Sequence, residues 1–205
     1  MTAITVVDYG MGNLHSVRRK LAQVGATAEV SGDPAVVARA EKLVLPGVGH
    51  FAQAMQNLGA SGLGEALREA VRARGVPILG ICLGMQLFAQ RSEEGDVAGL
   101  GWVDADVVRF RVTDTLRHKV PHMGWNQVAP AAPSPLFAGM EPGAEFYFVH
   151  SYHFECRDPS LAIGRTEYAY PFVSAIQKDN VFGVQFHPEK SHAAGEQLLR
   201  RFVER

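Results

Sequence analysis

Cysteine is scarce in this sequence: among 205 residues there are two, Cys82 and Cys156. Two thiols cannot build the disulfide framework of a small secreted scaffold, so any importance they have lies in the thiol itself. A surplus of one charge is also lacking. Twenty basic and 21 acidic side chains leave a formal net charge of −1, which argues against nucleic acid as a partner, because such binders carry a basic excess. Long hydrophobic runs are missing too. The most apolar uncharged stretch, residues 75–90, is broken by Pro77, Gly80 and Gly84 and falls short of the ~20 residues that a membrane-spanning helix needs. Residues 120–140 are uncharged but too polar and too rich in proline for that role. The start, MTAITVVDYG, has no basic run ahead of an apolar one and does not read as a signal peptide. These absences predict a cytoplasmic chain with no membrane and no nucleic-acid partner.

What is present is a large apolar fraction, 47%. A chain of this length is expected to fold as a single domain over residues 1–205 and to bury a core large enough to need no metal or disulfide staple. Short apolar runs alternate with amphipathic segments. Ile4–Val7, Leu43–Leu45 and Val76–Ile81 read as strands, each ending in a glycine-containing turn or in Cys82. Leu14, Val17, Leu21 and Val24 recur at helical spacing, as do Phe51, Met55 and Leu58, then Leu63, Leu67 and Val71. A helix carrying Met85, Leu87 and Phe88 is expected after Cys82. Strand–helix repetition with continuous apolar strands predicts an α/β fold: a three-layer open sheet with a parallel core and helices on both faces. Alternation within Trp102–Arg111, and β-branched and aromatic residues in Glu145–Phe154 and Val173–Gln177, add an antiparallel or mixed region. A strand at Val181–Phe186 and a helix at Ala193–Arg205 close the chain.

The strongest chemical signal is Gly80-Ile81-Cys82-Leu83-Gly84, which has the shape of a nucleophile elbow with cysteine in place of serine. Glycines on both sides allow neighbours to crowd a strained turn. The cysteine would sit at the carboxyl end of a strand and at a helix N-terminus, whose partial positive charge favours the thiolate. A thiolate nucleophile needs an acid–base partner that is itself oriented. His187 is followed two residues on by Glu189, and in an extended segment such positions project to one side. His50, His122 and His150 are rivals without that spacing, and His153 with Glu155 shares it. The Leu83 N–H is a natural oxyanion donor, and the loop Pro46-Gly47-Val48-Gly49 offers further N–H groups from Val48 or Gly49. Gly10-Met11-Gly12 begins like a dinucleotide fingerprint but has His15 where the third glycine belongs. Pro121 spoils a helical His118–His122 metal pair, and no ligand cluster completes His150 and His153, so neither a metal nor a cofactor is expected.

Taken together, these segments resemble the triad (class I) glutamine amidotransferases, and more narrowly the glutaminase subunits of imidazole glycerol phosphate synthases. DYGMGNLHSV (8–17), LPGVGHF (45–51), GICLGMQLF (80–88), PHMGWN (121–126), FYFVHSY (146–152) and GVQFHPEKS (183–191) carry the likeness over nearly the whole chain. The resemblance implies that Cys82 attacks the glutamine carboxamide, with His187 as acid and base and Glu189 orienting it. It implies that Gln86, Glu94, Ser151 and Tyr152 grip the amino-acid end of glutamine. It further implies a heterodimer with a (β/α)8-barrel cyclase that receives the ammonia, with Asn13, Met123, Trp125, Tyr147 and Lys190 near the interface. Turnover that waits on the cyclase's ligand, through reorientation of the PGVG loop, is the regulatory expectation. The rival functions are a glutaminase serving another synthase such as the pyridoxal phosphate system, a cysteine hydrolase of another kind, and a catalytically silent binding subunit.

Overall fold

The computed structural model describes residues 2–205. From the N-terminus, β1 (Ala3–Val7) is followed by α1 (Leu14–Gln23), β2 (Thr27–Ser31), α2 (Pro34–Arg39), β3 (Leu43–Gly47), α3 (Phe51–Ala60) and α4 (Leu63–Arg68), which a π-helical turn extends over Glu69–Ala73. β4 (Ile78–Cys82) runs directly into α5 (Leu83–Gln86), a single helical turn. Short strands follow: β5 (Arg91–Ser92), β6 (Val97–Ala98), β7 (Ala105–Arg109), β8 (His122–Gln127) and β9 (Ala129–Pro130). The chain ends with β10 (Glu145–His150), β11 (Tyr152–Cys156), β12 (Ala162–Tyr168), β13 (Tyr170–Lys178), β14 (Val181–Val184) and α6 (His192–Glu204).

The strand order β2-β1-β3-β4-β14 is parallel throughout. Beyond β14 the sheet continues through β13, β11 and β7 by antiparallel pairings, with β5 joining β7 in parallel. The apolar strands serve two cores because alternate residues face opposite sides. Ile4, Val6, Val44, Leu79 and Phe182 pack with Val17 and Leu21 of α1 and Leu198, Leu199 and Phe202 of α6. Val7, Leu43, Leu45, Ile78 and Val181 pack on the opposite face with Val37 of α2, Phe51 and Leu58 of α3, and Leu63 and Leu67 of α4. The three-layer expectation holds. Gly47 is the register partner of Cys82, and Ile81 that of Val184. β3, β4 and β14 therefore finish on one edge of the sheet and deliver three consecutive connections to one place.

Three expectations are corrected. β2 and α2 are additional elements with no forerunner in the sequence pattern, because β2 is a half-exposed edge strand and α2 is only six residues long; neither carries a periodic apolar pattern. The helix after Cys82 stops after one turn, since Phe88 and Ala89 donate into tight turns and Gln90 then pairs with Ala105. The run Glu145–Phe154 is two strands divided at Ser151: β10 pairs with β8 in a separate two-stranded ribbon, while β11 joins the main sheet.

Lys42 shows how the C-terminal helix is held. Its buried ammonium donates to the carbonyls of Phe202 (3.0 Å) and Val203 (2.9 Å), satisfying groups that a helix end leaves unpaired and placing a cation at the favourable pole. Lys42→Met should lower unfolding free energy by about 2 kcal/mol, measured by urea denaturation.

Candidate active site

Cys82 ends β4 with φ +54°, a left-handed conformation that costs a side-chain-bearing residue on the order of 1–3 kcal/mol. The neighbours enforce it. A Cβ on Gly84 would overlap the carbonyl oxygen of Leu45, and one on Gly80 would lie 2.6 Å from the Met85 nitrogen. The two glycines are thus required by close backbone approach, which lets the turn fold back over β3 and β4. Because α5 is only one turn long, its dipole is smaller than a full helix after Cys82 would supply.

β14 continues through Gln185 to His187, a buried residue whose backbone N–H donates to Tyr147 O at 2.8 Å. The ring Nδ1–H donates to Glu189 Oε1 at 2.9 Å, with both side chains nearly sealed from solvent. Nε2 has no hydrogen-bond partner among the described residues, and neither has Glu189 Oε2. Burial alone would lower the imidazole pKa; Cys82 and Glu189 beside it outweigh burial and push it up to about 10. Cys82 acts here through proximity, since no N–H···S contact from His187 has hydrogen-bond geometry. The result is a proton-bearing ring, oriented by a carboxylate, with its free nitrogen on the thiol side.

A cavity of about 310 Å³ opens in front of the sulfur, lined by Val48, Gly49, Cys82, Leu83, Gln86, Glu94, Pro121, Val149, His150, Ser151 and Tyr152, a volume that suits a small molecule. All four residues expected to grip a substrate lie on this wall, and so do three of the four expected oxyanion residues, Val48, Gly49 and Leu83. The fourth, Gly47, is buried beneath them. Leu83 opens α5, so its N–H has no intrahelical partner. Gly49 takes φ +115°, open to glycine and strained for other residues. Glu94 Oε2 accepts from the Phe51 N–H at 2.8 Å and so braces the start of α3 beside this loop. Gln86 commits its Nε2 to Tyr152 O at 3.0 Å and to Gln185 Oε1 at 3.0 Å. A larger groove of about 700 Å³ is lined by Arg109, Phe110, Arg111, Val112, Thr113, Thr115, His118, Lys119 and Val120, none of them a cysteine or a carboxylate.

The rival histidines have other employment. His150 Nδ1 meets Tyr152 O at 2.8 Å, so that nitrogen must carry the proton; its Nε2 then accepts from His122 Nδ1 at 2.9 Å, and His122 Nε2 accepts from Asn126 Nδ2 at 3.2 Å. Every bond in this relay is satisfied by neutral rings. Burial pushes His122 down to about 4 and holds His150 well below its ordinary value, with nearby His122, His153 and His187 adding to the lowering. His153 is buried against Phe154 O and the Tyr170 hydroxyl while Glu155 is exposed, so that pair does not form a second dyad. His50 caps α3 through the Ala52 N–H.

Of the residues expected at an interface, Met123 and Trp125 are exposed on β8 at 62% and 46%. Trp125 stacks on His192, with ring centroids 4.9 Å apart, and meets Tyr147 edge-on at 6.0 Å; Lys190 Nζ lies 5.4 Å from the Tyr147 centroid. Asn13 caps α1 through the Ser16 N–H, and no hydrogen bond or ring contact joins it to that patch. Cys156 is half-buried, and burial pushes its thiol up to about 11. Sequence reasoning missed Gln185. Its position two residues before His187, on the same side of an extended segment, was the available signal.

The fold and this arrangement of thiol, imidazole and carboxylate define the class: residues 5–205 match the family described as glutamine amidotransferase class-I. The chain is 50% identical to imidazole glycerol phosphate synthase subunit HisH of Moorella thermoacetica, covering 100% of this chain and 95% of that one. It is 49% identical to subunit HisH 2 of Pseudomonas aeruginosa, over 98% of each. The chain belongs to this HisH family of class-I glutamine amidotransferases. Two solved structures share the fold: a GMP synthase subunit of Thermoplasma acidophilum (TM-score 0.74, 23% identity, 100% and 93% coverage) and PurLQS of Thermotoga maritima (TM-score 0.75, 17% identity, 99% and 98% coverage).

Since His122 and His150 stay neutral when folded, the unfolded chain takes up protons below pH 6.5 that the native chain refuses until pH falls to about 4 at His122. The stability that these two rings supply should therefore be full above 6.5 and decline through this window, with His122 contributing up to about 1.4 kcal/mol per pH unit. His187, held above its ordinary value, acts in the opposite sense as pH rises above 6.5. Urea denaturation at about pH 7.5 and about pH 5 checks the decline, and His122→Asn should flatten it.

Proposed function

We propose that residues 1–205 act as one glutaminase domain in which Cys82, His187 and Glu189 hydrolyse glutamine to glutamate and ammonia. We further propose that the ammonia passes to a (β/α)8-barrel cyclase subunit that makes imidazole glycerol phosphate and aminoimidazole carboxamide ribotide in histidine biosynthesis. The observation that carries this reading is the unpartnered, buried Nε2 of His187, oriented by Glu189 at 2.9 Å and placed beside a cysteine on a strained turn.

The Cys82 thiolate attacks the side-chain carbonyl carbon, forming a C–S bond and an oxyanion that N–H groups of Leu83 and the Val48–Gly49 loop receive. The His187 imidazolium gives its proton to the carboxamide nitrogen, the C–N bond breaks, and ammonia leaves a glutamyl thioester. The now neutral ring takes a proton from water as the hydroxyl adds to the thioester. Collapse breaks the C–S bond and restores the thiolate–imidazolium pair, and the freed acid gives its proton to solvent as glutamate. Glu189 keeps the ring oriented and its charge compensated through both halves. Gln86, Glu94, Ser151 and Tyr152 line the wall where the amino-acid end of glutamine would sit.

Ammonia released into neutral water is largely protonated and ceases to be a nucleophile, so the product has value only to a docked partner. The exposed Met123 and Trp125, with Tyr147 and Lys190 beside them, form an apolar and cationic patch of the kind that a subunit interface uses. The reading extends to regulation: the glycine-containing 47–49 loop is the segment whose reorientation would couple hydrolysis to the cyclase's ligand.

Cys82→Ala should abolish glutamine hydrolysis, and full retained activity would overturn the mechanism. Glu189→Gln should lower kcat by about 10²–10⁴. The same substitution should bring the alkaline limb of the rate profile down from about 10, because Glu189 is, with Cys82, one of the two neighbours that raise the imidazole pKa. Ammonia release by the chain alone, compared with the chain plus cyclase and cyclase ligand, tests the coupling; equal rates would count against it.

A further inference from the structure

Gln185 is fully buried between β14 and the His187 segment, where its backbone N–H donates to Ser174 O at 2.9 Å. Gln185 and His187, two residues apart on extended chain, both turn toward Cys82, while Phe186 packs against Phe146 and Phe148. The Gln185 Nε2 lies 3.7 Å from Cys82 Sγ, within reach of an N–H···S hydrogen bond.

The direction of that bond is dictated from elsewhere. The Tyr152 carbonyl oxygen can only accept, so the Gln86 atom 3.0 Å from it must be the amide nitrogen. The same nitrogen lies 3.0 Å from Gln185, which must therefore present its oxygen there, leaving its NH2 group to face the sulfur. A backbone carbonyl 70 positions along the chain from Cys82 thus fixes an N–H donor on the nucleophile through two buried amides. A neutral thiol is a poor acceptor, whereas a thiolate accepts a charge-assisted bond roughly twice as strong as a neutral one. The protonated form gains little in return: the acceptor offered to the Cys82 thiol is Val149 O, 4.0 Å away.

Resting on the assignment of Cys82 as nucleophile, we propose that Gln185 stabilises the Cys82 thiolate by direct N–H···S donation, and that Gln86 is the positioning residue that holds the Gln185 amide in the donating orientation. The nucleophile is then held from two sides. His187 supplies the mobile proton, and Gln185 supplies a donor that takes no part in proton transfer and survives unchanged through every step.

The test uses the full chain carrying Cys156→Ser, so that Cys82 is the thiol under observation. Alkylation by iodoacetamide is followed across pH beside steady-state glutamine hydrolysis with the cyclase and its ligand present. Gln185→Leu should slow alkylation about tenfold near neutral pH, converge with the parent rate at high pH where the thiolate forms regardless, and lower kcat by a similar factor with little change in KM. Gln86→Leu should slow neutral-pH alkylation by a smaller factor. An unchanged alkylation profile for Gln185→Leu would overturn the proposal, as would equal slowing at every pH, which marks a merely obstructed sulfur. If Gln185→Leu does not fold, Gln185→Met, unbranched and of similar length, is judged by the same outcomes. Full glutaminase activity in Cys82→Ala would instead sink the nucleophile assignment itself, a separate result.

Discussion

The structure depends on one close approach of backbone to backbone. Where β4 turns into α5, Gly84 lies so near the carbonyl of Leu45 on β3 that no side chain fits between them. Accepting that approach puts Cys82 at φ +54° and brings Cys82 and Leu83 to the wall of the same cavity as Val48 and Gly49. The strain at Cys82 is offset by the two apolar cores on either side of β4, which fix the strand so firmly that the turn has no relaxed alternative. The partner strands matter equally. β3 and β14 flank β4, so the loop after each arrives at the same edge without any long excursion.

Around the sulfur the buried polar groups sort into two systems that share one acceptor. The carbonyl of Tyr152 receives the Gln86 amide on one side and His150 Nδ1–H on the other. From Gln86 the bonding leads through Gln185 to Cys82; from His150 it leads through His122 to Asn126 on β8. Such networks are costly when incomplete and rigid when complete. Both amides and both neutral rings are accounted for, whereas His187 Nε2, Glu189 Oε2 and the Tyr9 hydroxyl beneath Gly47 are left without partners among the described residues.

Much of this was legible in the residues. The elbow, the His-x-Glu spacing and the apolar strands are short-range patterns, each decided within about five residues by backbone sterics or strand alternation. Residues 145–154 were not legible in the same way. Their continuous aromatic and β-branched character gives no sign that Ser151 divides two strands belonging to different sheets. Gln86 was expected to grip a substrate, and although it lines the cavity its amide nitrogen is spent inside the protein. Trp125 could have been core or surface, and only its place on the outer face of the β8–β10 ribbon leaves it exposed.

The sequence by itself determined the class of fold, the strand-to-helix turn at Cys82 and the histidine–carboxylate pair, because each follows from patterns local to its own segments. The tertiary structure alone decided that these segments meet. Gln185 reaches Cys82 across 103 residues, and Gln86 reaches Tyr152 across 66. Those meetings depend on β14 lying beside β4 and on β11 turning back from the ribbon. Strand order is a property of the whole packed sheet, which no local pattern of side chains encodes.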